Sequence, residues 1–200
     1  MLQHYSAYKV AENFNLLATL APGRVDLGVG KAPGGLPLST QALQAAHDQQ
    51  NKPDFPKQLA QLNAYLNDDA QPGLSATPQP VQPAQRFLLG ASNESAQLAA
   101  EHGWAFVFAA HLNGNPEDIR RALAHYSEQS GGRKALLAVA AIVADSESQA
   151  KDLAAGIQQY RVHVTGGQSV TVGSLEQAES FVQQAGATDY RIEPRESHIL

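Results

Sequence analysis

Between Phe87-Leu88-Leu89 and an alanine-rich stretch ending at His102 lies Gly90-Ala91-Ser92-Asn93-Glu94-Ser95, a bend with two hydroxyls three residues apart. A bend joining a parallel strand to a helix start offers unpaired backbone N–H groups and the positive end of a helix dipole, which together attract an anion. Ser92 and Ser95 add hydroxyl donors suited to a phosphate, although the same residue types also serve as plain helix caps. Lys31 ends Val25–Gly30 in the same way, at the carboxyl end of a strand, and an ammonium there can neutralise the same phosphate if the two strand ends are neighbours. His111 follows the apolar run Trp104–Ala110, again at a carboxyl end, where an imidazole can face a ring or move a proton.

These residues depend on the elements that carry them. Val10, Phe14, Leu17 and Ala21 recur at helical spacing, with Asn13 and Asn15 off that stripe, and Pro22-Gly23 ends the segment. Val25–Gly30 alternates as a strand and leaves through Lys31-Ala32-Pro33-Gly34-Gly35. Asp54 caps a second amphipathic helix bearing Phe55, Leu59, Leu62 and Leu66, and four prolines between Asp68 and Gln85 impose a long surface connection. Phe87–Gly90, Trp104–Ala110 and Leu136–Val143 are short apolar strands separated by helices, one opened by Asn115-Pro116 and another by the capping box Ser146-Glu147-Ser148-Gln149. Strands alternating with helices imply a parallel sheet and an α/β class, because each crossover must cover a face. Further on, Val162–Val164 and Ser169–Val172 form a hairpin, and Ser174 caps a helix running to Gly186.

Composition narrows the choice of function. With 14 Lys+Arg against 19 Asp+Glu the chain carries no basic stripe for nucleic acid and no polybasic membrane patch. The absence of cysteine removes disulfides, thiolate metal sites and thiol catalysis, and the histidines have no metal-ligand spacing. No apolar run approaches the ~20 residues of a membrane span, so the expectation is a soluble cytoplasmic protein of one domain, residues 1–200. Gly28-Val29-Gly30 begins like a dinucleotide fingerprint, but Pro33 stands where the third glycine belongs.

The motif order His4-Tyr5-Ser6-Ala7-Tyr8-Lys9-Val10-Ala11-Glu12-Asn13-Phe14, then Pro22-Gly23-Arg24-Val25-Asp26-Leu27-Gly28-Val29-Gly30-Lys31-Ala32-Pro33-Gly34, Phe87-Leu88-Leu89-Gly90-Ala91-Ser92 and Phe108-Ala109-Ala110-His111 resembles the bacterial luciferase-like flavin-dependent monooxygenases. The resemblance implies a (β/α)8 barrel shortened at both ends, lacking the first strands and the last unit. It also implies reduced flavin mononucleotide from a separate reductase, bound at the strands' carboxyl ends to activate dioxygen and oxygenate a small organic substrate. By this likeness the flavin phosphate meets Gly90, the backbone of Ala91, and Ser92 and Ser95. Lys31 takes the place of a basic residue near it, and the family's catalytic histidine maps onto no residue here. An unclosed sheet further implies exposed edges and an uncovered apolar face, inviting a homodimer, aggregation, or disorder at Met1–Tyr5 and the C-terminal end. The alternative reading is a non-catalytic flavin-binding chain, or a fragment whose barrel is completed by a partner.

Overall fold

The computed structural model describes residues 2–31, 36–45, 47–48, 50–166 and 169–195. In chain order the elements are α1 (Ala7–Leu20), β1 (Asp26–Gly30), α2 (Pro37–Gln44), α3 (Phe55–Leu66), β2 (Gln85–Gly90), α4 (Asn93–Glu101) and β3 (Ala105–Ala109). They continue with α5 (Pro116–Gln129), β4 (Leu136–Ala138), α6 (Glu147–Ala155), β5 (Gln159–Val164), β6 (Ser169–Val172), α7 (Leu175–Ala185) and β7 (Tyr190–Arg195). The chain divides into two compact units, Met1–Gly34 with Gln44–Val139, and Gly35–Leu43 with Ala140–Leu200.

Helix starts follow the local capping chemistry read from the residues. Ser6, Asp54, Ser92, Asn115, Ser146 and Ser174 each accept an N–H from the first turn of the helix they precede. The first unit is built on a parallel sheet in the order β1-β2-β3-β4, as expected for part of a luciferase-like barrel. One sheet face, with Leu27, Val29, Leu88, Phe106 and Phe108, forms a single core with Leu59 and Leu62 of α3, Ala96 and Ala99 of α4, and Tyr126 of α5.

On the opposite face the side chains are less buried among the described residues. Gly30, Leu89, Val107 and Leu136 stand side by side in register across it, and Leu89 and Leu136 remain 36% and 52% exposed.

Three expectations need correction. On α1 the fully buried stripe is Ala7, Ala11, Asn15 and Ala18; Val10 and Phe14 pack part-buried against the same core, whereas Leu17 is exposed. Small residues let the helix pack closely, and Asn15 is buried because its Nδ2 donates to the Ala76 carbonyl at 2.7 Å. The strand expected over Leu136–Val143 stops at Ala138, and Val139 and Val143 are exposed. Its ladder ends where β3 turns away after Ala109 and the His111 N–H takes the Ala138 carbonyl at 3.1 Å. The amino-terminal stretch, where disorder is one of the alternatives expected, forms a 3-10 turn at Leu2–His4 with Leu2 and His4 buried. His47 Nε2 donates to the His4 carbonyl, and Lys52 Nζ donates to that of Gln3.

In the second unit β5 pairs antiparallel with β6, forming the expected hairpin, and with β7 on its other edge. Helix α7 packs Ala178, Phe181 and Val182 on Val162 and ends at Gly186 in the left-handed region, φ +60°. Strand β7 was not foreseen from sequence. The Lys31 exit at 32–35 and the carboxyl-terminal residues 196–200 lie outside the described residues.

Two outcomes test this packing. Phe106→Ala leaves a cavity under the parallel sheet and lowers stability by about 3–5 kcal/mol. Urea unfolding followed by the lone tryptophan, Trp104, reads the loss as a lower midpoint. His4 is pushed below the usual histidine range by burial first and the nearby Lys52 ammonium second. The unfolded chain then binds the proton more readily, so this contribution is full above about pH 6.5 and declines as pH falls toward the lowered folded value. A pH series of melting temperatures should flatten below neutrality in His4→Gln.

Candidate functional site

Parallel pairing places Gly30 opposite Leu89, so β1 and β2 release their chains at the same edge of the sheet. The neighbour condition set for Lys31 is met. Its Nζ lies 3.6 Å from Glu94 Oε2 in the first turn of α4, with both side chains more than half exposed. An ion pair so open to water contributes little to stability, so the ammonium can exchange this carboxylate for another anion.

The bend itself is tightly built. Ser92 is extended, φ −145° and ψ 161°, and its Oγ accepts the Ser95 N–H at 3.2 Å, so it is a true helix cap. The two serine hydroxyls are also 3.2 Å apart. Gly90 explains why they stay there: a Cβ on it would lie 2.3 Å from both Cβ and Oγ of Ser95. The missing side chain leaves the seat that Ser95 occupies. The N–H groups of Asn93 and Glu94 fall in the helix turn that has no intrahelical acceptors.

His111 stands at the same edge on the β3 side, where its ring Nδ1 lies 3.3 Å from the Ala138 carbonyl. Since that oxygen only accepts, Nδ1 carries the proton in this contact. The ring therefore ties the end of β3 to β4. Glu94 as the partner of Lys31 was not identified from sequence, because only the β1–β2 pairing shows that residues so far apart in the chain meet. Among the described residues no three His, Cys, Asp or Glu side chains gather as a metal site.

Comparison with known proteins resolves the family. The description of the luciferase-like monooxygenases matches residues 1–198. This chain belongs to that family. The N-acetyl-S-alkylcysteine monooxygenase of Bacillus subtilis (strain 168) is 42% identical over 191 residues, covering 92% of this chain and 57% of the relative. A luciferase-like monooxygenase of Escherichia coli (strain K12) is 34% identical over 176 residues, covering 84% and 52%. Among solved structures, apo-MsnO8 superposes with a TM-score of 0.63 at 30% identity, covering 76% of this chain and 46% of that one. The chain thus spans about half the length of the relatives it matches.

The close approach at Gly90 is directly testable. Gly90→Ala forces Ser95 out of its seat and destabilises by about 1–3 kcal/mol, and Ser95→Gly in the same chain restores part of the loss. Thermal unfolding of the two variants side by side measures this.

Proposed function

We propose that this luciferase-like monooxygenase chain binds flavin mononucleotide and serves an oxidoreductase that oxygenates a small organic substrate with dioxygen. The supporting observation is the convergence of Lys31, Ser92 and Ser95 at the carboxyl edge of a parallel sheet, beside the first turn of α4. In this reading the flavin's phosphate is held by the Ala91 N–H and by the Ser92 and Ser95 hydroxyls, with the Lys31 ammonium balancing its charge. The seat at Gly90 holds the Ser95 hydroxyl in place before any ligand arrives, which reduces the ordering cost of binding.

Reduced flavin, supplied by a separate reductase in the cytoplasm, brings the oxygen-activating redox chemistry. The chain's own groups bind and orient. Lys31 trades the Glu94 carboxylate for the phosphate, and His111 at the β3 end is the candidate acid or base. From the likeness to the Bacillus enzyme we propose an N-acetylated, S-alkylated amino acid as the substrate to try first.

A second reading draws on the partly exposed row Leu89, Val107 and Leu136. In it the chain binds flavin without turnover until a second copy or a partner chain covers that face. Oxygen consumption above that of free reduced flavin separates the two readings.

Mixing the purified chain with flavin mononucleotide should quench flavin fluorescence. Ser92→Ala with Ser95→Ala should weaken that binding by about 10-fold or more, the scale of charge-assisted hydrogen bonds lost from a phosphate. Riboflavin, which has no phosphate, should bind the variant and the natural chain alike, and Glu94→Gln should tighten flavin mononucleotide. Unchanged fluorescence at high protein concentration would reject the reading.

A further inference from the structure

The loop that leaves β3 after Ala109 and enters α5 at Pro116 carries Asn113-Gly114, the one asparagine of the chain that a glycine follows. Glycine has no Cβ to shield its backbone nitrogen, so that nitrogen can close on the side-chain Cγ of the preceding amide where another residue would obstruct it. The surroundings of the pair decide whether the fold blocks this closure or permits it.

Backbone bonds leave the attacking nitrogen free. The Leu112 and Asn113 N–H groups both donate to the Ala109 carbonyl, at 2.9 and 3.0 Å, and the Asn115 N–H donates to Asn113 Oδ1 at 3.1 Å. Between them, the Gly114 N–H meets no acceptor among the described residues. The group under attack is held at both ends: Oδ1 takes the Asn115 N–H, and Nδ2 donates to Asp118 Oδ2 at 3.1 Å. A donor on Oδ1 stabilises the negative charge which that oxygen gains when a nucleophile adds to Cγ. Asn113 and Gly114 are both part-exposed, so water has access to the pair.

We propose that Asn113-Gly114 is a self-modification site, at which the Gly114 nitrogen displaces the side-chain amide of Asn113. The nitrogen gives its proton to water and bonds to Cγ, and the Cγ–Nδ2 bond breaks as Nδ2 takes a proton and leaves as ammonia. Water then opens the resulting succinimide ring at either carbonyl, which leaves an aspartyl or isoaspartyl residue at position 113. No oxidant, reductant or cofactor takes part.

The product is an acceptor where a donor had been. Asp118, in the first turn of α5, already accepts from Arg121 Nη2 at 2.8 Å and would face a second carboxylate in place of the amide that donated to it. The tie between the β3 exit and α5 is lost in the loop that also carries His111. This site shares no residue with the bend at Gly90–Ser95 or with Lys31, so it stands independently of the flavin reading.

The full chain, held at physiological temperature in neutral buffer, is followed over days to weeks by peptide mapping with mass spectrometry. The peptide containing residue 113 should gain one dalton and resolve into two isomers, with the isoaspartyl form in excess. Gly114→Ala should slow the gain at least tenfold. A synthetic peptide of residues 110–118 gives the rate without a fold, and the folded chain should convert no more than tenfold more slowly. Asn113→Asp, which installs the charge directly, should melt below the natural chain, and adding Asp118→Asn should recover part of that loss. No mass gain, an aspartyl product alone, an undiminished rate in Gly114→Ala, or a folded chain more than tenfold slower than the peptide each overturns the inference. Unchanged melting of Asn113→Asp overturns the charge conflict with Asp118.

Discussion

The ladder between β1 and β2 is the constraint on which the candidate site rests. In a parallel pair the two strands end at one edge, and the register that sets Gly30 beside Leu89 brings Lys31 to the first turn of α4. A shift of one residue would turn Leu27 and Val29 out of the core and leave Lys31 facing elsewhere. The buried face and the polar edge are thus fixed by the same pairing, and the site inherits its geometry from hydrophobic packing.

Polar ties join the helix layer to β2 and to the approach to β3. Asn63 Oδ1 accepts from Trp104 Nε1 at 2.8 Å and from Arg86 Nη1 at 3.0 Å, joining α3 to β2 and to the approach to β3. Arg86 also donates to the Leu66 carbonyl near the end of α3, a favourable place for a cation. Tyr126 Oη donates to the Trp104 carbonyl, so α5 is tied to the same point. These bonds satisfy groups that the core would otherwise strand, and they specify which helix lies over which strand.

Much of the architecture was legible beforehand. Asp54, Asn115, Ser146 and Ser174 cap the helices expected of them, and the stripe Phe55, Leu59, Leu62 and Leu66 is buried as its spacing implied. Of the α1 stripe Val10 and Phe14 do pack on the core, but Leu17 was misjudged because it looked more apolar than the small residues buried beside them, and Asn15 looked too polar to enter. Strand β7 was missed because it is charged and contains Pro194. A proline there is tolerated because β7 is an edge strand.

What the residues settled unaided is local: where helices begin and end, which runs are extended, and that a serine-bearing bend follows a strand. Caps, turns and apolar periods act over a few neighbouring residues, so a chain displays them in order along its length. Adjacency is different in kind. That Lys31 reaches Glu94, that Ser95 sits on Gly90 and that β4 stops at Ala138 were decided only in the folded state. Ladder register and close packing join residues far apart in the chain, and neither leaves a periodic mark on the segments it joins.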